Sequence, residues 1–198
     1  FRRTYSREVR IHCIGVWDTV GALGIPSRNF DMVNKLLNVE FHDVELSSRI
    51  DNAFQALAID ERRSAFEPCL WKQQEGANCQ RLEQVWFAGV HASIGGGYRD
   101  TGLSDIALTW MMERAEECGL EFDPAPMKRL GLAIRPAWNG KLVESKKGAY
   151  RLFPDHIRPI EPTPADNATV APEAWQRFDA DPAYRANCAN LARISRDR

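Results

Sequence analysis

No apolar run in this sequence approaches the roughly 18–20 residues that a membrane-spanning helix requires, and its start does not read as a signal peptide. No block of like charges occurs either. Lys and Arg number 26 against 27 Asp and Glu, a net charge of −1, which argues against a nucleic-acid partner held through phosphates. Cysteines are few and scattered: Cys13, Cys69, Cys79, Cys118 and Cys188, an odd number with no C-x-x-C. They read as free thiols of a protein folded in a reducing compartment, not as a disulfide frame or zinc site. The four histidines, His12, His42, His91 and His156, lack ligand spacing, so no metal is expected. The glycines match neither G-x-G-x-x-G nor the Walker pattern, so no nucleotide cofactor is expected. Finally, G-x-S-x-G, the elbow that presents a nucleophilic serine, is absent.

What is present suits one compact core, since 198 residues with 44% hydrophobic content favour one domain. Residues 9–20, "VRIHCIGVWDTV", are rich in β-branched and aromatic types with little alternation, which predicts a strand covered on both faces. It ends near Asp18, with Gly21, Gly24 and Pro26 to stop it. Over residues 48–62, Ile50, Ala53, Phe54, Leu57 and Ala58 follow helical spacing, predicting an amphipathic helix capped by Ser47 or Ser48. "QVWFAGV" (84–90) predicts a buried parallel strand. Ser104 opens a helix running to about Cys118, with Gly119 just past its end. "RLGLAIRP" (129–136) suits a short strand. After Pro154 the chain reads as a Pro-rich irregular surface arm, then short helices near 173–178 and after Pro182. The pattern is α/β: a mostly parallel sheet flanked by helices.

In open α/β sheets, catalytic groups gather beyond the carboxyl ends of the strands. Asp18 and His91 both fall at such ends. A carboxylate bonded to an imidazole fixes its tautomer and stabilises its protonated form, the arrangement of a general base. Gly95, Gly96 and Gly97 would let the histidine loop turn sharply. Each feature also has a plain reading. Asp18 suits a turn that caps local amides, His91 a core histidine, and the triple glycine an anion-binding nest. Ser93 lies two residues from His91 but has no elbow around it, and Cys13 sits mid-strand. His12 reads as structural, and His42 and His156 as solvated. The chain offers an acid and a base without a nucleophile.

The blocks "GVWDTVGALGIP", "ALAIDERRSAFEPCLW", "VWFAGVHASIGGGY" and "GLSDIALTWMMERA" resemble, in that order, the catalytic domain of type VI secretion phospholipase effectors and related α/β-hydrolase-like proteins. "KGAYRLFPDHIRPI" and "DPAYRANCANL" resemble that family's C-terminal portion more loosely. The positions of Ser93 and Ile94 are often Asp and Val there. The resemblance implies a serine-dependent carboxylic ester hydrolase, with Asp18 and His91 the acid and base of a Ser-Asp-His triad. It also implies a phospholipid or other acyl-ester substrate at a membrane surface, and a secretion adaptor or immunity protein as partner. Synthesis in the cytoplasm and delivery to another cell by a type VI secretion system follow from the same likeness.

The family's serine elbow precedes the Asp block, so the chain is expected to be a C-terminal fragment, inactive alone. Residues 1–153 would be the C-terminal half of the catalytic domain, and 154–198 the Pro-rich arm and terminal helices of the same domain. The competing expectation is a non-catalytic pseudo-hydrolase or protein-interaction module that keeps the fold.

Overall fold

The computed structural model describes residues 9–20, 45–77, 79–131, 133–160 and 167–194. Among the described residues the main sheet has four strands, β1 (Ile11–Trp17), β3 (Ile50–Ala58), β5 (Arg81–Phe87) and β6 (Ala168–Val170), in the order β1-β3-β5-β6. Every pairing in it is parallel, with Trp17 opposite Ala56, Ala56 opposite Val85, and Val85 opposite Thr169. A separate parallel pair joins β2 (Glu45–Leu46) to β4 (Lys72–Gln73). The helices are α1 (His91–Ile94), α2 (Gly102–Glu117), α3 (Pro124–Arg129), α4 (Pro172–Ala180), α5 (Pro182–Asn187) and α6 (Ala189–Ile194). The chain is thus an α/β protein with a parallel sheet flanked by helices.

The largest departure from expectation is β3. Residues 50–58 form the strand between β1 and β5, not an amphipathic helix. A strand between two parallel neighbours is covered on both faces, so its sequence loses the period of two. Ala53, Phe54, Ala56, Leu57 and Ala58 are all buried, and the helical spacing of the large residues was incidental to that continuous run. Even Gln55 is buried, donating from Nε2 to the Cys69 carbonyl at 3.2 Å. β1 departs the other way. It is the outer strand among those described, and Ile11 and Trp17 are exposed rather than covered.

The strand expected over 84–90 is β5, displaced toward the N-terminus, so that Ala88, Gly89 and Val90 become the connection to α1. The expected helix near 104–118 is α2, which begins earlier. Ser104 lies inside its first turn, its hydroxyl donating to the Thr101 carbonyl at 3.0 Å instead of capping. Gly119 follows the helix with φ +87°. Among the described residues of 129–136 there is no strand: Arg129 ends α3, and the others are irregular. The helices expected near 173–178 and after Pro182 are α4 and α5. Gly21, Gly24, Pro26 and His42 lie outside the described residues.

The larger of two apolar clusters among the described residues joins the main sheet, α2 and the C-terminal helices, and a smaller one holds Leu46, Ile50, Ala53 and Leu82. In the larger, Phe54 and Leu57 of β3, Trp86 and Phe87 of β5, and Ile106, Ala107 and Met111 of α2 pack with Ile160, Ala174, Phe178 and Leu191 from the C-terminal segment. Trp110 places its ring against Phe54 and Phe87, with centroids 6.2 and 5.6 Å apart. Because β1, β3 and β5 run parallel, their carboxyl ends emerge along one border of the sheet. That border carries the site.

Candidate active site

Asp18 follows β1 directly, with φ +46°. A non-glycine residue pays strain to stay in the left-handed region, and the surrounding contacts must hold it there. They do: its N–H donates to the Ala56 carbonyl at 2.7 Å, and Oδ1 accepts the Ala58 N–H at 2.9 Å. The side chain is fully buried at the β1–β3 boundary.

His91 opens α1, just beyond β5. Its Nδ1 lies 2.7 Å from Asp18 Oδ2, across 73 residues of sequence. An ionised carboxylate only accepts, so Nδ1 carries the proton and Nε2 keeps its lone pair. The imidazole is 32% exposed, and among the described residues no side chain is hydrogen-bonded to Nε2. Phe66 meets its face edge-on, with centroids 5.1 Å apart.

Three further groups, none of them singled out from the sequence, hold this pair. Glu61, from the segment after β3, has a buried carboxylate that accepts from the Arg63 N–H, Nε and Nη2, each at 2.9 Å. It also accepts the Ser145 hydroxyl at 2.9 Å and the His91 N–H at 3.3 Å. Burial pushes the Glu61 carboxyl up, but the hydrogen bonds from Arg63 and Ser145, with the Arg63 charge, outweigh it and hold it below its ordinary range. Asp60 accepts the Gly89 N–H at 2.7 Å, joining the end of β3 to the connection ahead of α1. Arg158 is fully buried. Its Nη1 donates to Asp18 Oδ1 at 2.7 Å and its Nη2 to Asp18 Oδ2 at 3.1 Å. The same fork also donates to the carbonyls of Ala58 and Phe66.

Burial would raise the Asp18 carboxyl. Hydrogen bonds from His91 and Arg158, the Arg158 charge and the Ala58 N–H together hold it below its ordinary range instead. The Pro-rich stretch is therefore not wholly at the surface, since Arg158 and Ile160 are both buried. In "PDHIRPI" Arg158 sits in a segment without periodicity or motif, so no sequence signal set it apart.

The glycines divide by role. Gly96, at φ +84°, takes the left-handed turn that ends α1, and a Cβ on Gly97 would stand 3.2 Å from Ala92 Cβ. Gly95 has an ordinary right-handed backbone and no such demand on its Cβ. Ser93 is buried within α1, and its hydroxyl has no partner among the described residues, His91 included. Cys13 lies near Cys118, and burial pushes its thiol up to about 11, far from a nucleophile's range. His12, in β1, contacts the Cys118 carbonyl at 3.1 Å through Nε2. His156 is not simply solvated, because its Nε2 pairs with Glu67. Among the described residues, no cluster of three or more His, Cys, Asp or Glu side chains suits a metal ion. Nor is any helix there long and apolar enough to cross a membrane.

The family model of the type VI secretion system (T6SS) phospholipase effector Tle1-like catalytic domain matches residues 1–114. The match takes in Asp18, Glu61 and His91 and stops short of Arg158. No curated protein and no solved structure matches the chain. With more than half of its 198 residues inside the match, the chain belongs to the family of T6SS phospholipase effector Tle1-like catalytic domains.

Proposed function

We propose that Asp18 and His91 are the acid and base of a Ser-Asp-His triad that hydrolyses carboxylic ester bonds of phospholipids. The carrying observation is the 2.7 Å contact between His91 Nδ1 and Asp18 Oδ2, which leaves Nε2 of a side chain 32% exposed able to take a proton. The nucleophile in this reading is a serine elbow outside these 198 residues, in the order the family resemblance gives. Nε2 accepts the serine hydroxyl proton as Oγ bonds to the ester carbonyl carbon. It then returns that proton to the departing alkoxide, leaving an acyl-enzyme. Water repeats the sequence: its proton goes to Nε2, its oxygen to the acyl carbon, and the serine is restored. Asp18 holds the ring and stabilises the imidazolium without taking the proton.

Residues 154–198 belong in this reading to the same domain as 1–153, which is supported by the Arg158–Asp18 contact and by the packing of Ile160, Phe178 and Leu191 in the common core. The chain would then be the C-terminal part of a catalytic unit delivered through a type VI secretion system. Assay of the full-length protein on phosphatidylcholine vesicles and on short acyl esters tests the reading. His91→Ala is expected to lower kcat by a factor on the order of 10⁴ while the circular dichroism spectrum is kept. Turnover retained in that variant removes His91 from the mechanism, and an inactive wild type favours a pseudo-hydrolase.

A further inference from the structure

We propose that Arg158 is a positioning residue for the Asp18–His91 pair: it fixes the orientation of the carboxylate and balances its charge, so that the imidazole stays free to accept a proton. The proposal rests on the triad reading and deepens it. Arg158 reaches the site from 140 residues beyond Asp18, through a segment without regular structure, and its guanidinium is wholly buried. One edge of the fork grips both oxygens of Asp18, while Nη1 also meets the Ala58 carbonyl at 2.7 Å and Nη2 the Phe66 carbonyl. Four contacts to three separate segments fix the plane of the guanidinium, and a planar fork fixes the plane of the carboxylate it meets. An Asp carboxylate held at one oxygen can turn about its Cβ–Cγ bond. Held at both, it keeps Oδ2 facing Nδ1 of His91.

The shared oxygen separates this role from a purely structural ion pair. Oδ2 accepts from Arg158 and from His91 together, so the charge that Arg158 places there acts on the imidazole as well. With Arg158 present, the three groups sum to neutral before a proton arrives and to one positive charge after it. Without Arg158 they sum to one negative charge before and neutral after. The Asp18–His91 pair must then hold its proton more tightly, whichever member carries it. The active form of the pair is unprotonated beyond Nδ1–H, so losing the cation moves the acid limb of the pH–rate profile upward. The other charges facing the pair stay in place. Glu61 contacts the His91 N–H, and Arg63 pairs with Glu61 and lies 3.6 Å over the Phe66 ring that packs on His91. Tyr98 and Tyr150 stand near Arg63.

The test compares wild type, Arg158→Lys and Arg158→Gln in the full-length protein. It combines pH–rate profiles of ester hydrolysis with ¹⁵N NMR of imidazole-labelled protein, His91→Gln giving the assignment. Lys keeps the charge and loses the fork, so kcat is expected to fall about ten- to a hundredfold with KM little changed and the acid limb near that of wild type. Gln loses both, and its acid limb is expected to move up by roughly one to two pH units. The ¹⁵N spectrum is expected to show the Nδ1–H tautomer of His91 in wild type and a mixture in the Gln variant. A Gln variant with the wild-type acid limb and tautomer overturns the proposal, as does a Lys variant with full kcat. If the Gln variant does not fold, the Lys variant decides alone. Failure of the triad reading shows separately, as turnover that survives His91→Ala, and the ¹⁵N spectra still report whether Arg158 orients the pair.

Discussion

The Asp18 carboxylate accepts four hydrogen bonds, from His91, from the Ala58 N–H and twice from Arg158, and donates none. Exchange for Asn is therefore far from conservative, although Asn tolerates the φ of +46° as well as Asp does. The Asn amide has one oxygen and one NH₂. If the NH₂ faces Arg158, two donors collide. If it faces His91, the ring must present a bare Nδ1 and carry its proton on Nε2, where a base needs the lone pair. Asp18→Asn is expected to lower kcat by a factor on the order of 10³–10⁴. It also leaves the buried guanidinium of Arg158 without a counter-charge, a loss of about 3–5 kcal/mol in stability. Ester hydrolysis and urea denaturation of the full-length protein measure the two effects. An Asn variant equal to wild type in both would remove Asp18 from catalysis and from folding.

At the scale of elements, parallel order is what assembles the site: β1, β3 and β5 deliver Asp18, then Asp60 and Glu61, then His91 to one border. Two of these three deliveries were legible in the sequence, because β1 and β5 end in clear punctuation after β-branched and aromatic runs. β3 was not, since a strand buried on both faces has no alternation, and "IDNAFQALA" offers the 3.6 spacing by accident. With β3 unread, Asp60 and Glu61 looked like polar residues at a helix end. Arg158 was illegible for another reason: an arginine in an irregular segment carries no periodicity, and only the three-dimensional approach to Asp18 gives it meaning. Gly89 is the joint of the β5–α1 connection. Its φ is +132°, and a Cβ there would stand 2.8 Å from Ser93 Cβ and 3.2 Å from Ile94 Cδ1. Its N–H and carbonyl both bond to Asp60, so the strain could not be relieved by shifting the backbone alone. Gly89→Ala is expected to cost about 2–4 kcal/mol in stability and to displace α1 with His91. Chemical denaturation beside the hydrolysis rate checks this, and an Ala variant with wild-type stability and activity would refute the account of the joint.

For the molecule as a whole, the carboxylates Asp18, Asp60 and Glu61 are expected to shape the pH dependence of stability, and they pull in opposite directions. Asp18 and Glu61 are held below their ordinary range in the folded chain, so their stabilisation is present above about pH 4 and fades as pH falls through the folded values. Asp60 behaves oppositely. Burial pushes its carboxyl up to about 6, against the Gly89 N–H, the Tyr184 hydroxyl and the charges of Arg177 and Arg62. Cys188 faces it too, and Asp60 with Arg62, Val90 and Tyr184 lines a cleft of about 310 Å³. Between about pH 4 and 6 the folded chain binds more proton at Asp60 than the unfolded chain does, so stability falls as pH rises through that window. Maximum stability is thus expected toward the lower end of that window, at about pH 4 to 5, where Asp18 and Glu61 are ionised in the fold and Asp60 is still largely protonated. Asp60→Asn keeps an acceptor for Gly89 and Tyr184 and removes the charge. Its melting temperature is expected to exceed that of wild type by a few degrees at pH 7.5, for a gain of about 1–2 kcal/mol. The gap should close only as pH falls below about 4, where Asp60 of wild type is neutral in the folded and the unfolded chain alike. Thermal melts from pH 3 to 8 measure this directly. A variant that melts below wild type at pH 7.5, with the slope between pH 4 and 6 unchanged, would mean that Asp60 is ionised in the fold without penalty and that the pH dependence arises elsewhere.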